Sequence, residues 1–134
     1  MFRHILIPTD GSAASQLAVN AALRLARESG ARVTAIHVLP EEHALASVAP
    51  VAAENSILAD IARQAGSLHV DCATLQVHAE QPHAAIIATA LQRGCDLIAM
   101  ASRGRSGLAS LMLGSQTQKV LTHSKIPVLV FREG

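Results

Sequence analysis

Leu97-Ile98-Ala99-Met100-Ala101-Ser102-Arg103-Gly104 is the stretch on which the reading of this chain turns. Its first four residues form an unbroken apolar run, the pattern of a strand buried on both faces. Small residues follow. Past a nine-residue interval after Gly104, Gly114-Ser115 opens a segment of helical pattern that runs through Val120 and Leu121 to about Ser124. A strand that leads into small residues and then into a helix start lets backbone approach a phosphate closely. The helix start adds unpaired N–H groups and a partial positive charge. The segment therefore reads as an anion site, suited to the phosphates of a nucleotide.

Outward from this point the apolar period switches repeatedly. His4-Ile5-Leu6-Ile7-Pro8 is a short buried strand that Pro8 is expected to stop. Ser12 is placed to cap a helix with Ala14, Leu17, Ala18, Ala21 and Leu25 at helical spacing and Gly30 at its end. Strand two covers Arg32 to Leu39. Residues 40–53, with Pro40 and Pro50, read as an irregular surface loop. A helix from Asn55 to Gly66 and a strand from Val70 to His78 follow. Pro82 marks a third helix start, and that helix ends at Gly94. Asp96 to Met100 is strand four, and Ile126 to Phe131 is the last strand. Five strands alternating with four helices predict a parallel sheet with right-handed crossovers and helices on both faces. Periodicity does not reveal strand order. The order 2-1-3-4-5 is common for five such strands, and it puts the ligand crevice beyond the carboxyl ends of strands one and three.

At 134 residues, half of them apolar, the chain makes one folded domain spanning 1–134. With no Trp, no Tyr and two Phe, it lacks the stacking platforms of a nucleic-acid surface and the rings that sandwich a flavin. The first hundred residues carry six basic and nine acidic side chains. Residues 101–134 carry Arg103, Arg105, Lys119, Lys125 and Arg132 against Glu133 alone. That bias suits a small polyanion near the glycine loop better than a long nucleic-acid track. Cys72 and Cys95 form no C-x-x-C pair and read as reduced, buried thiols of a cytoplasmic protein. Phe2-Arg3-His4 leads into an apolar run too short for a secretion signal, and no apolar stretch reaches membrane-spanning length. Among the seven histidines, His78 and His83 stand five apart with no third ligand at metal spacing, and His37 lies within strand two.

Asp10, in Pro8-Thr9-Asp10-Gly11-Ser12, lies where strand one reaches the carboxyl edge of the sheet. It reads either as an acceptor for ribose hydroxyls or a metal contact, or as a turn and cap residue. Here a resemblance enters. Ile5-Leu6-Ile7-Pro8-Thr9-Asp10, Ile36-His37-Val38, Ala101-x2-Gly104-x9-Gly114-Ser115 and Pro127-Val128-Leu129-Val130 stand in the order found in the universal stress protein family. The chain resembles that family over its whole length, and more specifically its nucleotide-binding branch. The resemblance implies a flavodoxin-like α/β fold, a five-stranded parallel sheet of order 3-2-1-4-5, and a homodimer that binds ATP with Mg²⁺. By that likeness Asp10 faces the ribose. Thr9 and Val38 line the adenine end with Pro8 and Met100 nearby. Gly104, Gly114, Ser115, Thr117 and the Gln116 backbone wrap the phosphates, beside Ala101, and Arg103 and Arg105 supply charge.

The chain departs from the family pattern in three places. Ala101 stands where the motif has its first glycine, which matters if that position needs a positive φ but not if it needs only a small residue. Glu80-Gln81-Pro82 replaces a glycine before the third helix, and the segment after strand two is shorter than usual. A stress-response or signalling module with at most slow ATP hydrolysis is the expected function, since nothing near the loop is an obvious general base. The alternative is a dimeric interaction protein of the same fold that binds no nucleotide, with Gly104, Gly107 and Gly114 purely structural under a lid of Leu108, Leu111, Met112 and Leu113. A receiver-type phosphorylation switch is excluded, because His78 and Phe131-Arg132 stand where it needs an aspartate and a lysine. The last strand, Pro127 to Phe131, is expected at a sheet edge, paired with its twin in the dimer.

Overall fold

A computed structural model describes residues 2–40, 55–103 and 113–132. Among them five strands and four helices alternate. They are β1 (His4–Thr9), α1 (Ala13–Ser29), β2 (Arg32–Leu39), α2 (Ser56–Ser67), β3 (Cys72–His78), α3 (Pro82–Gln92), β4 (Leu97–Ala101), α4 (Ser115–His123) and β5 (Val128–Phe131). All four pairings are parallel, and the order is β3-β2-β1-β4-β5. The order 2-1-3-4-5 is not formed. β1 pairs with β2 and β4, so the chain changes direction across the sheet between β1 and β4, not between β1 and β3.

β1 and β4 are buried along their whole length because both faces of the sheet are covered there. Ile5, Ile7, Val33, Ala35, Leu97 and Ala99 point to one side and pack on Val19, Leu23, Leu58 and Ile61 of α1 and α2. The alternate residues Leu6, Ile36, Ile98 and Met100 point to the other side and meet Ile86 and Ala90 of α3 and Val120 of α4. Period two in the strands thus sorts two cores onto one sheet.

Pro8 does not stop β1. It pairs with Ile36 and Thr9 pairs with His37. The Arg3 carbonyl accepts from Arg32 of β2 at 3.0 Å, whereas the His4 carbonyl accepts from Asp96 beside β4 at 2.9 Å. Even-numbered residues of β1 therefore turn their backbone groups toward β4. Pro8 has no N–H to offer there, and the β1–β4 register covers Ile5↔Leu97 and Leu6↔Ile98. The proline ends one ladder while the other continues, and this lets the sheet open between β1 and β4 at its carboxyl end.

The amino-terminal edge is tied more tightly. Asp96 accepts from the amides of Arg3 and His4 at 2.9 and 3.0 Å. Burial acts to raise its pKa, but these amides outweigh that and hold it below the usual carboxylate value. His4 is buried with Nε2 2.7 Å from Thr34 Oγ1, and its pKa is lowered by burial first and by Arg32 second. Burial also pushes the Cys95 thiol up to about 11 and raises that of Cys72. Cys95 is buried and Cys72 half-buried, and the raised pKa of each works against thiolate formation at neutral pH.

Candidate functional site

Local hydrogen bonds hold the turn after β1. Gly11 sits at φ +82°, a conformation that favours glycine. Asp10 Oδ1 accepts from the Ser12 amide at 2.9 Å and from the Ser15 hydroxyl at 2.7 Å. The Thr9 hydroxyl oxygen accepts from the Gly11 amide at 3.1 Å, and Ser12 caps α1 by accepting from the Ser15 amide at 3.2 Å. Asp10 is therefore a turn residue, and it also borders the cavity described next.

That cavity, about 310 Å³, opens at the carboxyl ends of β1, β2 and β4 on the α3–α4 side of the sheet. One wall is apolar, made by Pro8, Val38 and Met100 with Ile86 of α3. Its polar part is made by Thr9, Asp10, Arg103, Ser115, Gln116 and Thr117. Ala101, Gly114, Ser15 and Pro82 complete the lining. Eleven of the residues singled out from the sequence thus come to one place, although they arise from four separate segments. Gly104 lies outside the described residues, as do Arg105, Gly107, the proposed lid residues Leu108, Leu111 and Met112, and the loop expected from 41 onward.

The first turn of α4 is pinned from several directions. The Gly114 amide donates to the Ser102 carbonyl at 2.7 Å, and a Cβ on Gly114 would stand 3.1 Å from the Arg103 Cα. Such an approach leaves no comfortable room for a side chain. The Thr117 hydroxyl donates to the Ala101 carbonyl at 2.9 Å, so that hydroxyl ties helix to strand. Gln116 Oε1 accepts from the His83 amide at 2.8 Å. The amides of Ser115, Gln116 and Thr117, in the first helical turn, have no carbonyl one turn back within α4. They add the positive end of the helix dipole to the polar part of the cavity.

Ala101 belongs to β4 and pairs with Phe131. Among the described residues His69 is the non-glycine residue with positive φ, so position 101 has no need of glycine for its backbone. No group of three histidine, cysteine or acidic side chains arranged to hold a metal ion occurs among the described residues. Nor is any described helix long and apolar enough to cross a membrane.

Three lining residues escape the sequence reading, namely Ser15, Pro82 and Ile86. Ser15 stands three residues past the cap Ser12, the spacing of a reciprocal helix cap, and that spacing is a usable signal. Pro82 and Ile86 are legible as a helix start and a helix face, but nothing local tells that α3 packs beside the β1–β4 opening.

Comparison with known proteins agrees with this architecture. A family model described as the universal stress protein family matches residues 1–132. The Universal stress protein YxiE of Bacillus subtilis is 32% identical over 98% of this chain and 100% of its own length. A universal stress protein of Thermus aquaticus shows the same identity and the same coverage. Among solved structures, MJ0577, whose sequence comes from Methanocaldococcus jannaschii, superposes with a TM-score of 0.86 at 27% identity, covering 100% of this chain and 98% of that one. A universal stress protein in complex with cAMP superposes with a TM-score of 0.76 at 25% identity, covering 98% and 97%. With the sheet order, the whole-length match and these relatives in agreement, the chain belongs to the universal stress protein family.

Proposed function

We propose that the cavity binds ATP with Mg²⁺ and that the protein acts as a stress-response or signalling module, not as a dedicated enzyme. The observation that carries this reading is Gly114. Its missing side chain lets the start of α4 close onto Arg103, with the first-turn amides at the polar part of the cavity. A row of backbone donors beside an arginine suits the oxygens of a triphosphate. The apolar wall of Val38, Met100 and Ile86 suits the flat face of adenine, and Asp10 suits the ribose hydroxyls. The cAMP complex of a protein with the same fold supports a nucleotide as the ligand class. Mg²⁺ would be held mainly by the phosphates themselves. There it would neutralise charge, and Asp10, already an acceptor for Ser12 and Ser15, serves a sugar better than it serves an attacking water.

On the same reading the protein works as a homodimer, through Pro127–Phe131 of each copy. The two edges of the sheet differ in character. β3 exposes Thr74, Gln76 and His78, whereas β5 is Val128-Leu129-Val130-Phe131. An apolar edge is the one a protein covers.

Calorimetric titration of the purified protein with MgATP, cAMP and adenosine tests the binding. MgATP should bind most tightly, and millimolar MgATP should raise the melting temperature. Heat flow absent for all three, with no change in melting temperature, would leave the interaction protein without nucleotide as the surviving reading.

A further inference from the structure

Gln116 is second in α4, but its side chain serves another helix. Its Oε1 accepts the His83 amide at 2.8 Å, and His83 Nδ1 lies 3.1 Å from the same oxygen. Because that oxygen already accepts from a backbone amide, the ring nitrogen facing it must carry a hydrogen to bond there. His83 is second in α3. The N-cap of that helix, Gln81, makes no side-chain capping bond, and Pro82, its first residue, has no N–H. The start of α3 is thus capped from α4, by a residue that lines the cavity, while Pro82 borders the same cavity. Glutamine is a flexible side chain, and two donors on one oxygen restrain it.

We propose that His83 is a positioning residue of the nucleotide site, holding Gln116 and with it the amides of the first turn of α4 where the phosphates bind. The proposal rests on the reading that the cavity takes a nucleotide. Thr117 and Gly114 fasten this turn to β4, through Ala101 and Ser102. The His83–Gln116 pair fastens its other side to α3. Fixing a row of donors from both sides lowers the ordering cost of binding an anion. The base end is held differently, since Val38 and Met100 belong to β2 and β4 rather than to α3 or α4. Loosening the pair should therefore weaken grip on the phosphates and spare the nucleoside.

The test is calorimetry of MgATP and of adenosine on the wild type and on His83→Phe, His83→Asn and Gln116→Met. Loss of one such hydrogen bond predicts roughly tenfold weaker MgATP binding for His83→Phe and Gln116→Met. Adenosine affinity should not change in His83→Phe or His83→Asn. His83→Asn places an amide N–H where Nδ1 stood and should bind MgATP within about twofold of the wild type, a retention that bulk packing would not produce. The proposal is overturned if His83→Asn behaves like His83→Phe, if adenosine affinity falls along with that of MgATP in His83→Phe, or if Gln116→Met binds MgATP as the wild type does. A wild type that ignores MgATP altogether would sink the nucleotide reading and this proposal with it, whereas a binding wild type with unaltered variants removes the His83 role alone.

Discussion

At Gly114 a hydrogen atom occupies the position a Cβ would take 3.1 Å from a neighbouring backbone carbon. Gly114→Ala should push α4 away from Arg103 by a few tenths of an ångström. Overpacking of this kind costs about 1–2 kcal/mol, so MgATP affinity should drop roughly tenfold by calorimetry while the circular dichroism spectrum keeps its shape. Ala101 carries the opposite lesson. It replaces a motif glycine, yet its backbone lies in β4, so the departure from the family pattern is tolerated on conformational grounds. His4 makes a prediction about acid. Its native pKa lies below the ordinary value because burial and Arg32 disfavour the imidazolium. The unfolded chain therefore takes up a proton that the native state refuses once pH drops below about 6.5. Stability from neutral His4 is complete above that pH and declines as pH falls toward the lower native value. Urea midpoints from pH 7.5 to 5 should fall more steeply for the wild type than for His4→Leu. Parallel curves would show that His4 does not carry this dependence.

At the scale of elements, most of the architecture was legible because its signals are local. Ser12 caps α1 with its side chain on the Ser15 amide, and Gly30 ends the helix at φ +71° with its amide on the Ala26 carbonyl. A Cβ on Gly30 would meet nothing within 4 Å, so Gly30→Ala isolates backbone strain. It should cost about 1 kcal/mol in urea denaturation. A loss near zero would mean that the helix end relaxes into another cap. Legibility failed where an element depends on its neighbour. Pro8 reads as a terminator, yet β1 runs on through Thr9, because β2 bonds to the odd-numbered residues and never needs the missing proline hydrogen. β5 begins at Val128, not Ile126, since Pro127 contributes a carbonyl to Ile98 from just outside the strand.

For the whole molecule, assembly turns on β5. Val128 packs into the core shared with α3 and α4, so a charge there would damage the fold as well as any dimer. Leu129 is 38% exposed and is the cleaner probe. Leu129→Lys should convert the proposed dimer to monomers in light scattering with little change in melting temperature. A variant that remains dimeric would put the interface elsewhere.

The amino-acid sequence by itself determined the alternation of strands and helices, the two caps of α1 and the set of small residues around Gly114, because periods of two and 3.6 and the demands of a turn are properties of neighbouring residues. Only the tertiary structure decided that β1 lies between β2 and β4, and therefore that Ser15, Pro82 and Ile86 share a cavity with Asp10 and Gly114. It also decided that Gln116 reaches His83, 33 residues away in the chain. Those adjacencies follow from which strands exchange hydrogen bonds across the sheet, and residues that are distant in sequence carry no local pattern that records it.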